Sequence, residues 1–176
     1  QLDHHRHLRT GLPEAVFGEN KSVEHLIEIL AALLRQKNVV LATRVAPDKA
    51  AGVQSRLDGL TYHDNARVLT GNDQFIPKEC NLGTVVIVTA GTSDLPVAEE
   101  ARLSLECFGH PVQTIYDAGV AGLHRILAHS RILQQATVLI VVAGMEGALP
   151  SVVAGMTHAP VIAVPTSVGY GANLGG

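Results

Sequence analysis

The chain has 176 residues, of which 47% are apolar and 3% aromatic, and it carries no tryptophan and a formal net charge of −3. This length fits one ordinary domain, or one domain with a small appendage, and the apolar content excludes global disorder. Lysines and arginines are scattered singly, so nucleic acid is not an expected partner. Two widely separated cysteines, and the lack of a secretory leader or a membrane-spanning apolar run in this sequence, predict a cytoplasmic protein without a membrane partner.

The first 75 residues predict a small αβ subdomain whose leading segment, residues 1–21, lies on a surface. His4, His5 and His7 lie too close together along this segment to define a closed metal site, and we interpret them as tag or surface residues. Ser22 is expected to cap an amphipathic helix. The elements expected after it are a strand at 39–42, a helix at 47–57, one or two short strands at 59–69 and a polar connector at 72–81.

The remaining residues, 83–176, alternate between strand and helix patterns with short joints, which predicts parallel strands with right-handed crossovers. The expected strands are 84–89, 112–116, 137–142 and 161–164, and the expected helices are 95–108, 120–135 with a break near Ser130, and 147–156. The predicted fold class is therefore α/β, a three-layer α/β/α arrangement around a parallel sheet. A glycine-rich loop, 165–176, follows the last strand, and we expect more chain after it in the natural protein.

The stretch 85–100 is the most informative part of this second region. Four consecutive β-favouring residues from Val85 are typical of a strand covered on both faces. A turn of small and polar residues follows, in which Ser93 or Asp94 can cap the next helix and present backbone N–H groups to an anion. An ordinary capped turn between a strand and a helix explains the same residues equally well.

Polar residues follow each of the four predicted strands. The carboxyl ends of parallel strands meet at one edge of a sheet, where ligands of open α/β folds bind. We therefore expect these side chains to line one site. They are Asp94 after the first strand, Asp117, His124 and Arg125 after the second, Glu146 after the third, and Thr166 and Ser167 after the fourth.

Long motifs in these turns closely resemble the LarB family, the pyridinium-3,5-biscarboxylic acid mononucleotide synthases. They are AGTSDLPVAEEA (90–101), DAGVAGLHR (117–125), AGMEGALPSVVAG (143–155) and PVIAVPTSVGYG (160–171), together with Arg-x-x-Arg-x-Gly-x-Pro-Glu at 6–14 and Ala-Thr-Arg at 42–44. The resemblance spans nearly the whole chain. It implies a PurE-like, flavodoxin-like fold preceded by the small αβ subdomain.

The C-terminal part is also similar, more distantly, to the PurE class of carboxyaminoimidazole ribonucleotide mutases. The shared features are a Gly-x-Ser-Asp turn at 91–94, the His124-Arg125 pair and a glycine-rich loop that ends in Leu-Pro at 149–150. The mutase loop has a histidine where this chain has Ala148, and this chain introduces Glu146. That difference argues against the mutase reaction itself.

The LarB resemblance implies carboxylation of the pyridinium ring of nicotinic acid adenine dinucleotide by CO2, and hydrolysis of its phosphoanhydride to release AMP. Glu146 is the expected proton-transfer residue, Asp94 a second acid or a ligand of a substrate hydroxyl or Mg²⁺, and His124 a partner of phosphate or carboxylate. No organic cofactor is expected. The expected substrate-binding residues are Lys21, Arg44, Gly91, Thr92, Ser93, Asp117, Arg125, Gly144, Met145, Gly147, Thr166, Ser167 and Tyr170.

The same resemblance implies a nucleophilic cysteine in a segment that follows Gly176. Cys107 falls inside a predicted helix, where we expect a buried structural thiol, and Cys80 lies in the connector without an assigned role. The family relation also implies a homo-oligomer, an octamer. Two other functions stay open: a carboxylase or mutase of aminoimidazole ribonucleotide, and a nucleotide-binding module without turnover.

Overall fold

The structure is a computed structural model that describes residues 13–78, 83–145 and 147–167. Within these ranges the chain divides into two compact units. Residues 13–78 and 103–109 form the first unit, and residues 83–102 and 110–167 form the second.

The first unit is built on a mixed four-stranded sheet with the order β1-β2-β4-β3. Strand β1 runs parallel to β2, and β4 runs antiparallel to both β2 and β3. Strand β1 was not predicted, because the sequence analysis left residues 1–21 as a surface segment. The elements are β1 (Ala15–Phe17), α1 (Val23–Leu34), β2 (Val40–Thr43), α2 (Pro47–Gln54), β3 (Leu60–His63) and β4 (Val68–Gly71).

Helix α1 begins and packs as its sequence pattern predicts. The Ser22 hydroxyl accepts a hydrogen bond from the His25 backbone N–H at 3.2 Å, which confirms the N-cap. Leu26, Leu30 and Leu33 are buried on one side of the helix. This apolar face closes one core of the first unit, against Val40 and Ala42 of β2 among other residues.

The other face of this sheet packs against residues 103–109, which belong to the same unit. Leu103 and Cys107 form a cluster with Val39, Leu41 and Val68. Cys107 is buried, as expected, and burial raises its pKa to about 11, with smaller contributions from Asp73 and Glu106. A thiol in this state is protonated at neutral pH and is a packing residue rather than a nucleophile.

The second unit contains a fully parallel sheet with the order β6-β5-β7-β8. The chain steps from β5 to one side and then crosses back to β7 on the other. Right-handed crossovers therefore place α3 on one face of the sheet and the later helices on the other. This confirms the predicted α/β class with a PurE-like, flavodoxin-like arrangement. The elements are β5 (Val85–Thr89), α3 (Leu95–Cys107), β6 (Val112–Ile115), α4 (Leu123–Leu127), α5 (Ser130–Gln135), β7 (Val138–Ala143), α6 (Ala148–Ala154) and β8 (Val161–Pro165).

The connection between β6 and β7 is more broken than one predicted helix. It begins with a 3₁₀ turn at Val120–Gly122, continues as the short α4, and restarts at Ser130 as α5. Ile126 of α4 and Leu133 of α5 are both fully buried in the main core of this unit. The break near Ser130 thus lets two short helices present one apolar residue each to the sheet.

Among the described residues, no helix combines the length and the apolar character that crossing a bilayer requires.

Candidate functional site

A cleft of about 430 Å³ opens at the carboxyl ends of β5, β6 and β7. The strand order reverses between β5 and β7, and this topological switch point is where open α/β sheets bind ligands. Residues of three connecting segments line the cleft: some of 90–94 after β5, some of 119–125 after β6, and residues 143–145, 148 and 149 at and after the end of β7. Three of the family-like motifs thus meet at one edge of the sheet.

Asp94 is the most buried polar group of the cleft, with 3% of its surface exposed. Its Oδ2 atom accepts a hydrogen bond from the Gly91 backbone N–H at 2.9 Å. Its Oδ1 atom accepts one from the Thr166 hydroxyl at 2.7 Å, and this bond is itself buried. Asp94 is therefore the last residue of the 3₁₀ turn Thr92–Asp94, and its carboxylate bonds back to Gly91, the N-cap of that turn. Both of its oxygens have donors inside the protein. Thr92 and Ser93 are exposed, and of these two only Ser93 lines the cleft.

The turn after β6 is held against the turn after β5 by backbone contacts. The Asp117 N–H donates to the Thr89 hydroxyl at 3.1 Å, and the Ala118 N–H donates to the Thr89 carbonyl at 2.9 Å. A Cβ atom at Gly119 would lie 2.8 Å from the Ala90 carbonyl oxygen, so only glycine allows this approach without a shift. Asp117 has a positive φ of 55°, a conformation that aspartate adopts more readily than most residues.

Arg125 brings a positive charge to the cleft wall. Its Nη1 atom lies 2.7 Å from Oδ2 of Asp117. A Cβ atom at Gly122 would lie 2.8 Å from Arg125 Nε, so the missing side chain leaves room for the guanidinium group. His124 is exposed and is not among the residues that line the cleft, although the sequence placed it beside Arg125 in the site.

A second polar cluster joins the start of α3 to the residue that follows β6. The Arg102 guanidinium contacts both carboxylate oxygens of Glu99, with its Nη2 atom 2.7 Å from Oε2. The Tyr116 hydroxyl donates a hydrogen bond to Glu99 Oε1. Burial and this hydrogen bond raise the pKa of Tyr116 to about 12. None of these three side chains lines the cleft.

The segment after β7 supplies the third wall. Gly144 and Met145 line the cleft as expected, and Met145 has a positive φ of 54°. Gly147 begins α6 with a positive φ of 68° and is not a lining residue. Glu146, the expected proton-transfer residue, lies outside the described residues.

Four other predicted site residues are not among the described residues that line this cleft, and their roles stay predictions. Ser167 is exposed and does not line the cleft, and Tyr170 lies outside the described residues. Lys21 and Arg44 belong to the first unit. Arg44 has a positive φ of 53°, lies over the ring of Phe17 at 5.8 Å from its centroid, and is 3.7 Å from Glu19.

Small apolar residues make up most of the remaining wall, and the sequence analysis did not assign them to the site. Their signal was their position beside the polar motif residues, because alanine and glycine at strand ends leave space for a ligand. The residues are Ala90, Gly119, Val120, Ala121, Ala143, Ala148 and Leu149.

No group of three or more His, Cys, Asp or Glu side chains suited to a metal ion occurs among the described residues. Both oxygens of Asp94 already accept hydrogen bonds from the protein. Asp94 as a ligand of Mg²⁺ stays a prediction, because a carboxylate oxygen that accepts one hydrogen bond keeps a second lone pair.

Comparison with known proteins agrees with this architecture. The family model of the LarB/PurE-like N-terminal domain matches residues 1–73, and the AIR carboxylase model matches residues 84–174. The fold and the cleft at its switch point thus define an α/β protein of the PurE-like class.

Individual proteins match either nearly the whole chain or about half of it. An uncharacterized protein of Methanocaldococcus jannaschii is 41% identical over 182 residues, which cover 99% of this chain and 70% of that protein. This chain belongs to the LarB family. Two N5-carboxyaminoimidazole ribonucleotide mutases match only 46% of it: that of Pyrococcus horikoshii is 34% identical over 83 residues, and that of M. jannaschii 38% over 88 residues. The aligned regions span 47% and 51% of those mutases.

Proposed function

We propose that this protein carboxylates the pyridinium ring of nicotinic acid adenine dinucleotide with CO2 and hydrolyses the phosphoanhydride of the same molecule. The products would be pyridinium-3,5-biscarboxylic acid mononucleotide and AMP, in the biosynthesis of the nickel-pincer nucleotide. The observation that carries the proposal is the cleft at the switch point, because three of the LarB-like motifs, at 90–101, 117–125 and 143–155, supply its lining residues. The coarser statement, a carboxylase or mutase type of activity on a nucleotide-related substrate, follows from the family itself.

The walls of the cleft fit such a substrate in size and in chemistry. Its volume of about 430 Å³ lies within the range of about 300–1,000 Å³ that is typical of small-molecule sites. Apolar walls suit a flat aromatic ring, and the guanidinium group of Arg125 suits a phosphate or a ring carboxylate. Ser93 at the rim adds a hydroxyl donor.

The chemistry requires groups that move protons at the ring. When a thiolate, which the family resemblance assigns to a cysteine after Gly176, adds to a pyridinium carbon, the adjacent ring position becomes nucleophilic and can attack CO2. A base then removes the ring proton, and expulsion of the thiolate restores aromaticity. We assign the base to Glu146, on sequence grounds, and a contact with a substrate hydroxyl to Asp94, since its carboxylate reaches the cleft while remaining hydrogen-bonded within the protein.

Incubation of the full-length protein with nicotinic acid adenine dinucleotide and bicarbonate tests this proposal. Mass spectrometry should detect a dicarboxylated mononucleotide and AMP. Glu146→Gln should lower the rate of carboxylation by about a hundred- to ten-thousandfold while dinucleotide binding persists, because glutamine keeps the shape of glutamate without its proton affinity. Glu146→Asp, which retains a carboxylate, is the matched control, and its rate of carboxylation should fall less than that of Glu146→Gln.

Two outcomes would contradict these assignments. A Glu146→Gln variant that carboxylates at the wild-type rate would remove Glu146 from the reaction. A wild-type protein that binds the dinucleotide without forming either product would instead fit a nucleotide-binding module without turnover. Size-exclusion chromatography with light scattering would test the proposed octamer in the same preparation, and cell fractionation the proposed cytoplasmic location.

A second candidate is a carboxylase or mutase of aminoimidazole ribonucleotide. It is favoured by the match of the AIR carboxylase model and by the mutases that are 34% and 38% identical over about half of this chain. Against it stands Ala148, which lines the cleft where the mutase loop has a histidine. The same assay with aminoimidazole ribonucleotide and bicarbonate, or with its N5-carboxylated form, distinguishes the two substrates.

A further inference from the structure

Thr166, the residue that follows β8, makes hydrogen bonds to residues at or just after the ends of two other strands. Its backbone N–H donates to the Ala143 carbonyl at the end of β7 at 3.1 Å. Its hydroxyl donates to Asp94 Oδ1, in the turn that follows β5, at 2.7 Å. Thr166 is 6% exposed and does not line the cleft, whereas Asp94 does.

This arrangement differs from the role that the sequence predicted, a hydroxyl that donates to a substrate phosphate. A threonine hydroxyl has a single proton to donate, and here that proton points at a buried carboxylate. The side chain is also not among those that line the cleft. Thr166 therefore does not act on a substrate directly.

We infer that Thr166 is a positioning residue that fixes the Asp94 carboxylate for its contact with the substrate. The inference rests on the proposed function, in which Asp94 binds a substrate hydroxyl. Two donors at fixed places, the Gly91 N–H on Oδ2 and the Thr166 hydroxyl on Oδ1, determine the plane of the carboxylate. Without the second donor the carboxylate can rotate, and a misplaced binding group costs rate.

The test compares Thr166→Val, which keeps the shape and removes the hydroxyl, with Thr166→Ser, which keeps the hydroxyl. Thr157→Val is the matched control, because the Thr157 hydroxyl also makes an internal hydrogen bond, to the Leu133 carbonyl at 2.9 Å, and Thr157 does not line the cleft. For each variant, kcat and KM for the dinucleotide are measured together with the exchange rate of the Gly91 amide hydrogen. The amide reports on Asp94 because it donates to Asp94 Oδ2.

Thr166→Val should lower kcat/KM by about ten- to hundredfold and speed exchange of the Gly91 amide. Thr166→Ser should keep kcat/KM within about threefold of the wild-type value. Thr157→Val should change neither kcat/KM nor the exchange of the Gly91 amide. In an Asp94→Asn background, Thr166→Val should lower kcat/KM by less than about twofold further, because the two residues act as one unit.

A wild-type value of kcat/KM in Thr166→Val would overturn the inference. So would an equal loss in Thr166→Val and Thr157→Val, which would reduce the role of Thr166 to general stability. A wild-type protein that does not turn over the dinucleotide would overturn the proposed function instead. In that case Gly91 amide exchange still decides whether Thr166 fixes the carboxylate, since unchanged exchange in Thr166→Val would exclude it.

Discussion

The turns that follow β5 and β6 both place an aspartate at the edge of the sheet, but they hold it in opposite ways. Asp94 is buried, and each carboxylate oxygen accepts one hydrogen bond from the protein. Asp117 has a side chain that is 55% exposed, and its ion-pair partner Arg125 is 37% exposed. Asp94 holds a turn together through two hydrogen bonds. Asp117 forms a partly exposed ion pair with Arg125.

This difference shows that position after a strand does not by itself fix the role of a polar residue. When a buried carboxylate loses its donors, the free energy of unfolding falls, because water cannot replace the missing partner. The same holds for buried donors that lose their carboxylate. An exposed ion pair contributes little to stability, because water solvates both charges almost as well when the pair is broken. The β5 turn should therefore be sensitive to substitution, and the β6 turn tolerant in its side chain.

Replacement of Asp94 should produce the largest effect. Asp94→Ala leaves the Gly91 N–H and the Thr166 hydroxyl without their acceptor, at about 1–3 kcal/mol each, so the free energy of unfolding should fall by about 2–6 kcal/mol. Urea denaturation followed by circular dichroism measures it.

Asp94→Asn is the matched control for that loss. The amide oxygen can accept from Gly91, and the amide N–H can donate to a rotated Thr166 hydroxyl, so this variant should keep most of the stability. Its activity should nevertheless fall, since the carboxylate is gone. An Asp94→Asn protein with full activity and unchanged substrate affinity would leave Asp94 as a capping residue only.

Tyr116, the residue before Asp117, should give an intermediate effect that depends on pH. Tyr116→Phe removes the hydrogen bond to Glu99, and we expect a loss of about 1 kcal/mol at neutral pH because the hydroxyl is partly exposed. The pKa of Tyr116 is raised from 10.0 to about 12, so the folded state holds the phenol proton more tightly than the unfolded state does. The stabilisation should be complete below pH 10 and should be lost as the pH rises towards 12.

Unfolding curves of the wild type and Tyr116→Phe between pH 8 and pH 12 measure this difference. The two curves should converge at the alkaline end. A constant offset at every pH would mean that ionisation of the phenol makes no contribution, because phenylalanine keeps the ring and lacks only the hydroxyl.

The sequence predicted the sheet and its helices well because strand and helix periods differ clearly in this region. Residues 85–88 and 138–143 are short apolar runs rich in β-branched residues, which are typical of a strand covered on both faces. Strand β1, by contrast, has only three residues. Its pairing with β2 comes from tertiary contacts that a local pattern does not contain.

The site was predicted in outline and not in its contacts. Motifs located the turns, since residues after parallel strands meet at one edge of the sheet. They did not indicate that the Thr166 hydroxyl donates to Asp94, because 72 residues separate the two along the chain. Nor did they indicate that His124 is exposed while Arg125 lines the cleft, since the orientation of neighbouring side chains on a five-residue helix depends on how that helix packs.

Asp117 should give the smallest effect, in contrast to Asp94. Asp117→Asn should change the free energy of unfolding by less than about 0.5 kcal/mol, because the ion pair with Arg125 is exposed and asparagine also tolerates a positive φ. Asp117→Ala should cost about 1 kcal/mol, since alanine does not tolerate that conformation, and Asp117→Gly should recover most of this loss. Urea unfolding at low and high salt measures the series, and the ion-pair contribution should shrink as salt is added. If Asp117→Asn and Asp117→Gly both lose as much as Asp94→Ala, the two turns are held alike and the contrast between them is wrong.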